Sequence, residues 1–326
     1  MNSDAEPPPP PAAAPHAPAD WAARLGGAEI LRRRLAKQEE LENNPEADEG
    51  FVNVQSLLRK GRVVRGILSA TGLAGVGRRN MLAVRREENI LRVRGLPAAF
   101  RGQRVLHLSD LHADMDPGMA PAIVRAIAGW EYDAVMLTGD YRARTRWDWQ
   151  PALAACREVT RALRPGAPIF ASLGNHDPLE MIPGLEELGW RVLLNESTPW
   201  TVGGETLWVA GVDDDHTYQT ADVAHARAGI PPGACALLLS HTPATYARAA
   251  AAGFAAFLCG HTHGGQICLP GGRVLLHNTA APRWLSHGPW EYQGMTGYTS
   301  RGAGTCRVPA RFFCPPEVTR HTLEGK

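Results

Sequence analysis

The 326-residue chain lacks a long apolar run, a strong charge of either sign and any close pair of cysteines, and each absence removes a class of protein. No stretch approaches the roughly 20 apolar residues that span a bilayer. A formal net charge of +1 gives no global pull toward nucleic acid. The six cysteines (Cys156, Cys235, Cys259, Cys268, Cys306 and Cys314) are scattered without a CxxC pair. They read as reduced, mostly buried thiols rather than a disulfide framework. A secretory signal is missing too: the chain opens acidic, and prolines follow where an apolar core belongs. These absences leave a soluble, cytoplasmic, globular protein as the expectation.

What is present is unevenly spread. Residues 1–20 are Pro/Ala-rich and cannot build a packed core, so they read as disordered with polyproline character. Residues 21–84 read as a helical extension and linker. Trp21 to Glu42 has leucines at helical spacing and ends at Asn43-Asn44-Pro45. Phe51 to Leu68 is a basic amphipathic segment, suited either to packing on the protein or to peripheral contact with an anionic membrane. Gly72 to Asn80 reads as a glycine- and arginine-containing linker. From about residue 85 to 326 strands and helices alternate, first in the manner of a parallel or mixed sheet, then with strands dominating. That order predicts an α/β domain with a second sheet packed on the first.

Five polar clusters end the predicted strands. Arg104 to Leu108 runs into Ser109-Asp110-Leu111-His112, and Asp133 to Leu137 into Gly139-Asp140. Ala167 to Leu173 runs into Gly174-Asn175-His176-Asp177. Ala236 to Leu239 runs into Ser240-His241, and Phe254 to Cys259 into Gly260-His261-Thr262-His263-Gly264-Gly265. Each cluster alone is an ordinary turn or cap. In a parallel sheet, however, strand ends share one edge, so the five can converge. Carboxylate, amide and imidazole donors suit Mn, Fe, Zn or Ni better than Ca or Mg. The absence of cysteine from all five argues against a structural zinc site.

The strings SDLH, LTGD, SLGNHD, LLSH and CGHTHGGQ, in this order, resemble the calcineurin-like metallophosphoesterases, in particular their YkuE-type branch. The resemblance covers roughly residues 85 to 323. It implies a four-layer α/β/β/α sandwich with a dinuclear site of two divalent transition metals at the strand ends. By that resemblance Asp110, His112 and His263 hold one metal, Asn175, His241 and His261 hold the other, and Asp140 bridges both. His176 then faces the substrate, and Asp177 orients His176. Two divalent ions against the carboxylates of Asp110 and Asp140 leave a positive centre that attracts phosphate.

The implied reaction is hydrolysis of a phosphate ester, a diester rather than a monoester, by in-line attack of a metal-bridging hydroxide. The alternatives are a hydrolase of a lipid-linked pyrophosphate or diester, of the UDP-diacylglucosamine type, motivated by residues 51–68, and a scaffold that binds metal without catalysis. The substrate is a small-molecule or lipid phosphoester, and no basic stripe marks nucleic-acid binding. His107, His216, His225, His277, His287 and His321 match none of the strings and read as packed or solvated. Asp213 to Asp215 read either as a border of the site or as a solvated turn, and Arg142 and Arg144 as candidates to grip a phosphate.

Overall fold

The computed structural model describes residues 20–43, 61–145, 148–274 and 279–326. The Pro/Ala-rich start (1–19) and residues 51–60 of the basic segment lie outside the described residues.

The strands in chain order are β1 (Arg85–Val93), β2 (Arg104–Leu108), β3 (Ala134–Thr138), β4 (Ile169–Ser172), β5 (Trp190–Val192), β6 (Glu196–Val202), β7 (Glu205–Gly211), β8 (Ala236–Leu239), β9 (Ala256–Cys259), β10 (Cys268–Leu269), β11 (Arg273–Val274), β12 (Gly288–Tyr292), β13 (Met295–Thr299) and β14 (Glu317–Gly325). One six-stranded sheet runs β1-β14-β2-β3-β4-β5 and the other β12-β13-β9-β8-β7-β6. In the first, β2 to β5 are parallel and β14 lies antiparallel to β2. In the second, β7, β8, β9 and β13 are parallel, flanked by antiparallel edge strands β6 and β12.

A four-layer sandwich has three spaces to fill, and three main apolar clusters fill them. Strand alternation decides which residue goes where. In β2 and β3, Val105, Ala134 and Met136 face the second sheet, while Leu106, Leu108, Val135 and Leu137 face outward. In β8 and β9, Leu237, Leu239, Ala256 and Leu258 face the first sheet, while Ala236, Leu238, Phe257 and Cys259 face outward. The outer face of the first sheet is covered by α5 (Met119–Ile127), α6 (Gln150–Arg161) and α7 (Ile182–Glu187), through residues such as Ile123, Leu153 and Leu185. That of the second is covered by α8 (Val223–Ala228) and α9 (Tyr246–Ala251), through Val223, Ala226 and Ala249. Both faces of the central strands are thus buried, which is why they read as continuous apolar runs.

The N-terminal region departs from expectation in two places. The helix expected over Trp21 to Glu42 breaks into α1 (Trp21–Leu25) and α2 (Ala28–Asn43), because Gly26 and Gly27 take φ of 100° and 142°. The expected linker Gly72 to Asn80 is mostly helix: α3 (Gly61–Ala70) is followed by α4 (Ala74–Met81). The glycine that suggested a linker, Gly77, instead lets α4 lie close to the chain. A Cβ there would stand 2.5 Å from the Ala310 Cβ. Leu25 and Met81 enter the core of the first sheet, so the extension packs on the domain. Strand β12 was not expected from the sequence, and it carries Pro289 as its second residue. Proline is tolerated there because β12 is an edge.

Between the sheets runs a chain of side chains, half-buried at Asn89 and buried beyond it. Asn89 Nδ2 donates to His321 Nδ1 (3.0 Å), His321 Nε2 lies 3.4 Å from His107 Nδ1, and His107 Nε2 lies 2.9 Å from the Thr138 hydroxyl. Each neutral ring then accepts on one side and donates on the other. Burial pushes the His107 imidazole down to about 3 and holds His321 well below the usual range, with His107 adding to the effect. Protonation between these values and 6.5 therefore happens only in the unfolded chain, so stability is lost as pH falls through that window. The expected cost is roughly 1.4 kcal/mol per pH unit for each ring. Urea unfolding from pH 7 to pH 4 should show it, and His321→Phe should flatten the slope. Identical slopes in the two proteins would show that His321 is already charged in the folded state.

Candidate metal centre

All five loops meet where the strands end. Asp110 N–H donates to Gly139 O (2.9 Å), His112 N–H to Asp140 O (3.0 Å) and Gly260 N–H to His241 O (2.9 Å). Asp110, His112, Asp140, Asn175, His176, Asp177, His241, His261 and His263 are all buried. His112 Nε2 lies 3.5 Å and His241 Nε2 3.3 Å from the same oxygen, Asp140 Oδ2, with His176 Nε2 at 3.9 Å. His263 Nε2 lies 3.3 Å from Asp110 Oδ1 and 3.2 Å from His112 Nε2. On the other side His261 Nδ1 lies 3.1 Å from both Asn175 Oδ1 and His241 Nε2. The arrangement thus has Asp110, His112 and His263 to one side of Asp140, and Asn175, His241 and His261 to the other.

The backbone is unusual at these positions. Asp110, His112, Asp140, His261 and His263 all have positive φ, between 38° and 69°. This left-handed region disfavours most side chains, and such strain concentrates at functional sites. Glycines allow the loops to touch. A Cβ on Gly174 would stand 2.3 Å from Asp140 Oδ1, and one on Gly260 would stand 2.2 Å from Asp110 Oδ2.

The donor chemistry fits divalent cations. His112 Nδ1 is 2.8 Å from Arg142 O, and His241 Nδ1 is 2.7 Å from Thr138 O. A carbonyl only accepts, so each Nδ1 carries a proton and a neutral ring aims a bare Nε2 lone pair at Asp140. A lone pair facing a carboxylate is repulsive unless a cation sits between them. At His241 in the bare protein a proton takes that role. Burial alone would discharge His241, but the carboxylates of Asp140, Asp110 and Asp214 outweigh it and push its pKa up to about 10. Burial likewise opposes charge on Asp140, yet His241, His176 and His112 hold it well below the usual carboxylate range. His263 is kept neutral by burial, then by His112 and Arg311. Sets of donors converge within 4.8 Å at His112/Asp140/His176, at Asp140/His241/His261 and at His112/His263/Cys306.

Asp177 does something other than orient the His176 ring. Its Oδ2 accepts from Asp140 N–H (2.7 Å) and Gly174 N–H (2.8 Å), and its Oδ1 from Tyr141 N–H (2.8 Å). It ties the Asp140 loop to the Asn175 loop through main-chain donors. His176 is positioned by its own backbone: its N–H donates to Asp140 Oδ1 (2.9 Å), and its carbonyl accepts from Arg142 Nε. Arg142 is buried and turned onto the His176 and Thr145 carbonyls, so it braces the loop instead of waiting for phosphate.

Several residues outside the five strings reach the site. Arg34, fully buried on α2, pairs with Asp213 (3.0 Å), donates to Asp177 O (2.7 Å) and stacks on Tyr218 (3.2 Å). Its spacing in a run of arginines gave no sign of this. His216, which matched no string, packs its ring on His261 with 4.3 Å between centroids. Asp214 accepts from the N–H groups of His216, Thr217 and Tyr218, and it is close enough for its charge to raise the His241 pKa, so this carboxylate borders the site. Arg311, buried, reaches His263 O (3.0 Å) and His263 Nδ1 (3.3 Å). His107 is a packing residue, as expected.

Two facing mixed sheets with an Asp/Asn/His cluster at their strand ends define a metal-dependent phosphoesterase. The chain belongs to the calcineurin-like phosphoesterases, whose family model matches residues 103–265. It is 28% identical to the uncharacterized metallophosphoesterase YkoQ of Bacillus subtilis (strain 168), over 70% of this chain and 86% of that one. It is 30% identical to the phosphodiesterase YaeI of Escherichia coli (strain K12), over 66% of this chain and 80% of the other. With YkuE of Bacillus subtilis, an uncharacterized metallophosphoesterase, it shares 24% identity over 81% of this chain and 94% of that protein.

Asp177→Asn puts an amide NH2 where main-chain N–H groups need an acceptor. The expected result is a loss of about 1–3 kcal/mol of stability together with lower metal content. Unchanged stability and metal content, with only a shifted pH–rate profile, would restore the role of aiming His176.

Proposed function

We propose that this phosphoesterase hydrolyses a phosphodiester, with two divalent transition metals held on either side of Asp140. The observation that supports it is the single oxygen Asp140 Oδ2, faced by one imidazole from each side. An anionic carboxylate can be shared by two cations, which a neutral amide or imidazole cannot do well. Asp110, His112 and His263 would hold one metal, and Asn175, His241 and His261 the other. The chemistry such metals supply is Lewis acidity, which polarises a phosphoryl oxygen and makes water nucleophilic near neutral pH.

The chain's own residues do the rest. His112 and His241 are aimed by the Arg142 and Thr138 carbonyls, so their lone pairs are in place before any ligand arrives. Asn175 contributes an oxygen without charge, which keeps the loaded centre positive and attractive to an anion. His176, with its Nε2 beside Asp140, is placed to donate a proton to the leaving oxygen or to neutralise charge on the phosphoryl group. The choice of a diester over a monoester rests on the likeness to a protein named a phosphodiesterase.

A lipid-linked substrate is the second reading. On α3, Leu68 packs on Val308 and Ala310, while Val63 and Ile67 stay exposed, as does Leu73 beyond the helix. Arg65, counted with the basic face, donates to Arg307 O (3.0 Å). An apolar strip of this kind suits an interface with lipid. No helix among the described residues is long and apolar enough to cross a membrane. A cytoplasmic setting belongs to the same proposal and is supported by six cysteines that form no disulfide.

Asp140→Asn should abolish hydrolysis of an aryl phosphodiester, a fall of at least about 1000-fold, and halve the metal content measured by elemental analysis. Retained turnover would refute the shared ligand. His176→Ala should cut turnover by about 100-fold or more with metal content intact, and the reverse pattern would make it a ligand. Ile67→Glu should release the protein from anionic liposomes in flotation. If the wild type does not float with them, the lipid reading fails.

A further inference from the structure

Cys306 lies on the loop between β13 and β14, outside the family-matched segment and outside all five strings. Among the described residues it is the only thiol that joins a cluster of donors: Cys306, His112 and His263 come within 4.8 Å of one another. Its Sγ is also 3.8 Å from His176 Nε2. The loop that carries it is fastened at several points. Gln266, three residues after His263, accepts from Cys306 N–H (2.9 Å) and donates to the carbonyls of Cys306 (3.1 Å) and Val308 (2.9 Å). Gln266 itself holds a left-handed backbone, φ 56°. Upstream, Gly304 N–H donates to Asp110 O (2.7 Å), and buried Arg311 donates to Gly304 O. The thiol is therefore set over the His112/His263 pair by the loops that carry the ligands themselves. The two other cysteines nearby are occupied differently, with Cys268 and Cys314 each lying against the Gly264 carbonyl.

We propose that Cys306 is a thiolate ligand on the His112/His263 side of the centre, and that it biases that side toward zinc, iron or cobalt over manganese. The proposal rests on the reading of the site as a metal centre. Binding forms a sulfur–metal bond and releases the thiol proton to solvent, with no change of oxidation state. Two imidazoles and one thiolate, beside the carboxylates of Asp110 and the shared Asp140, make a softer set than oxygen and nitrogen alone, and soft ligands favour those metals.

The test is cobalt(II) substitution of the full-length protein, read by metal analysis and by the near-ultraviolet thiolate-to-cobalt charge-transfer band. The wild type should bind cobalt and show the band. Cys306→Ser should still bind cobalt, lose the band, and lose about tenfold of its preference for zinc over manganese. Cys235→Ser, which changes a thiol lying against Arg94 O instead of the donor cluster, should keep the band. Cobalt bound without the band, or a band that survives in Cys306→Ser, overturns the ligand role. A wild type that binds no cobalt overturns the metal-centre reading itself, and this proposal with it.

Discussion

The structure is arranged around a buried carboxylate. Asp140 sits at the end of β3 with almost no exposure, and an isolated charge there would cost several kcal/mol. The fold offsets that cost from three directions. His112 comes from β2, His241 from β8 in the opposite sheet, and the His176 N–H from the turn after β4. No single element supplies all three, so the two sheets must face each other with strand ends aligned. The sandwich is the means of bringing those loops to one oxygen.

The same constraint explains the local backbone. Side chains reach a common centre from short loops only if the chain reverses sharply at each strand end. Five left-handed residues, with glycines pressed against some of them, accomplish that reversal after β2, β3 and β9. The strain is held by what lies behind: Asp177 across two loops, Arg142 on the His176 carbonyl, and Arg311 behind His263. Each brace works mainly through main-chain atoms, so it fixes position without competing for a cation.

That division governs what could be read from sequence. The central strands were legible because burial on both faces leaves continuous apolar runs. The five loops were legible because their chemistry demands Asp, Asn and His at strand ends. Asp177 misled because adjacency to His176 suggested a pair, whereas the turn sends its carboxylate to the amides of the neighbouring loop. The roles of Arg34, His216 and Cys306 were illegible for another reason: each arrives by tertiary packing from a segment with no strand-end string of its own. Helix α4 was hidden by glycine, which served close packing against residues 310–312 and not flexibility.

Helix α2 gives the boundary of the domain a different meaning. Arg34 is joined to Asp213 and to the carbonyl of Asp177, and breaking a buried pair of this kind costs about 3–5 kcal/mol. The N-terminal helix α2 is thereby joined directly to the turn that carries Asn175, His176 and Asp177. A chain trimmed at residue 85, where the strands begin, would leave the Asp213 carboxylate without its guanidinium, held among side chains by the Thr220 hydroxyl. Local melting of α2 would reach the Asn175–Asp177 turn without disturbing either sheet, so the extension acts as a part of the site's rigidity that no family-defining string contains.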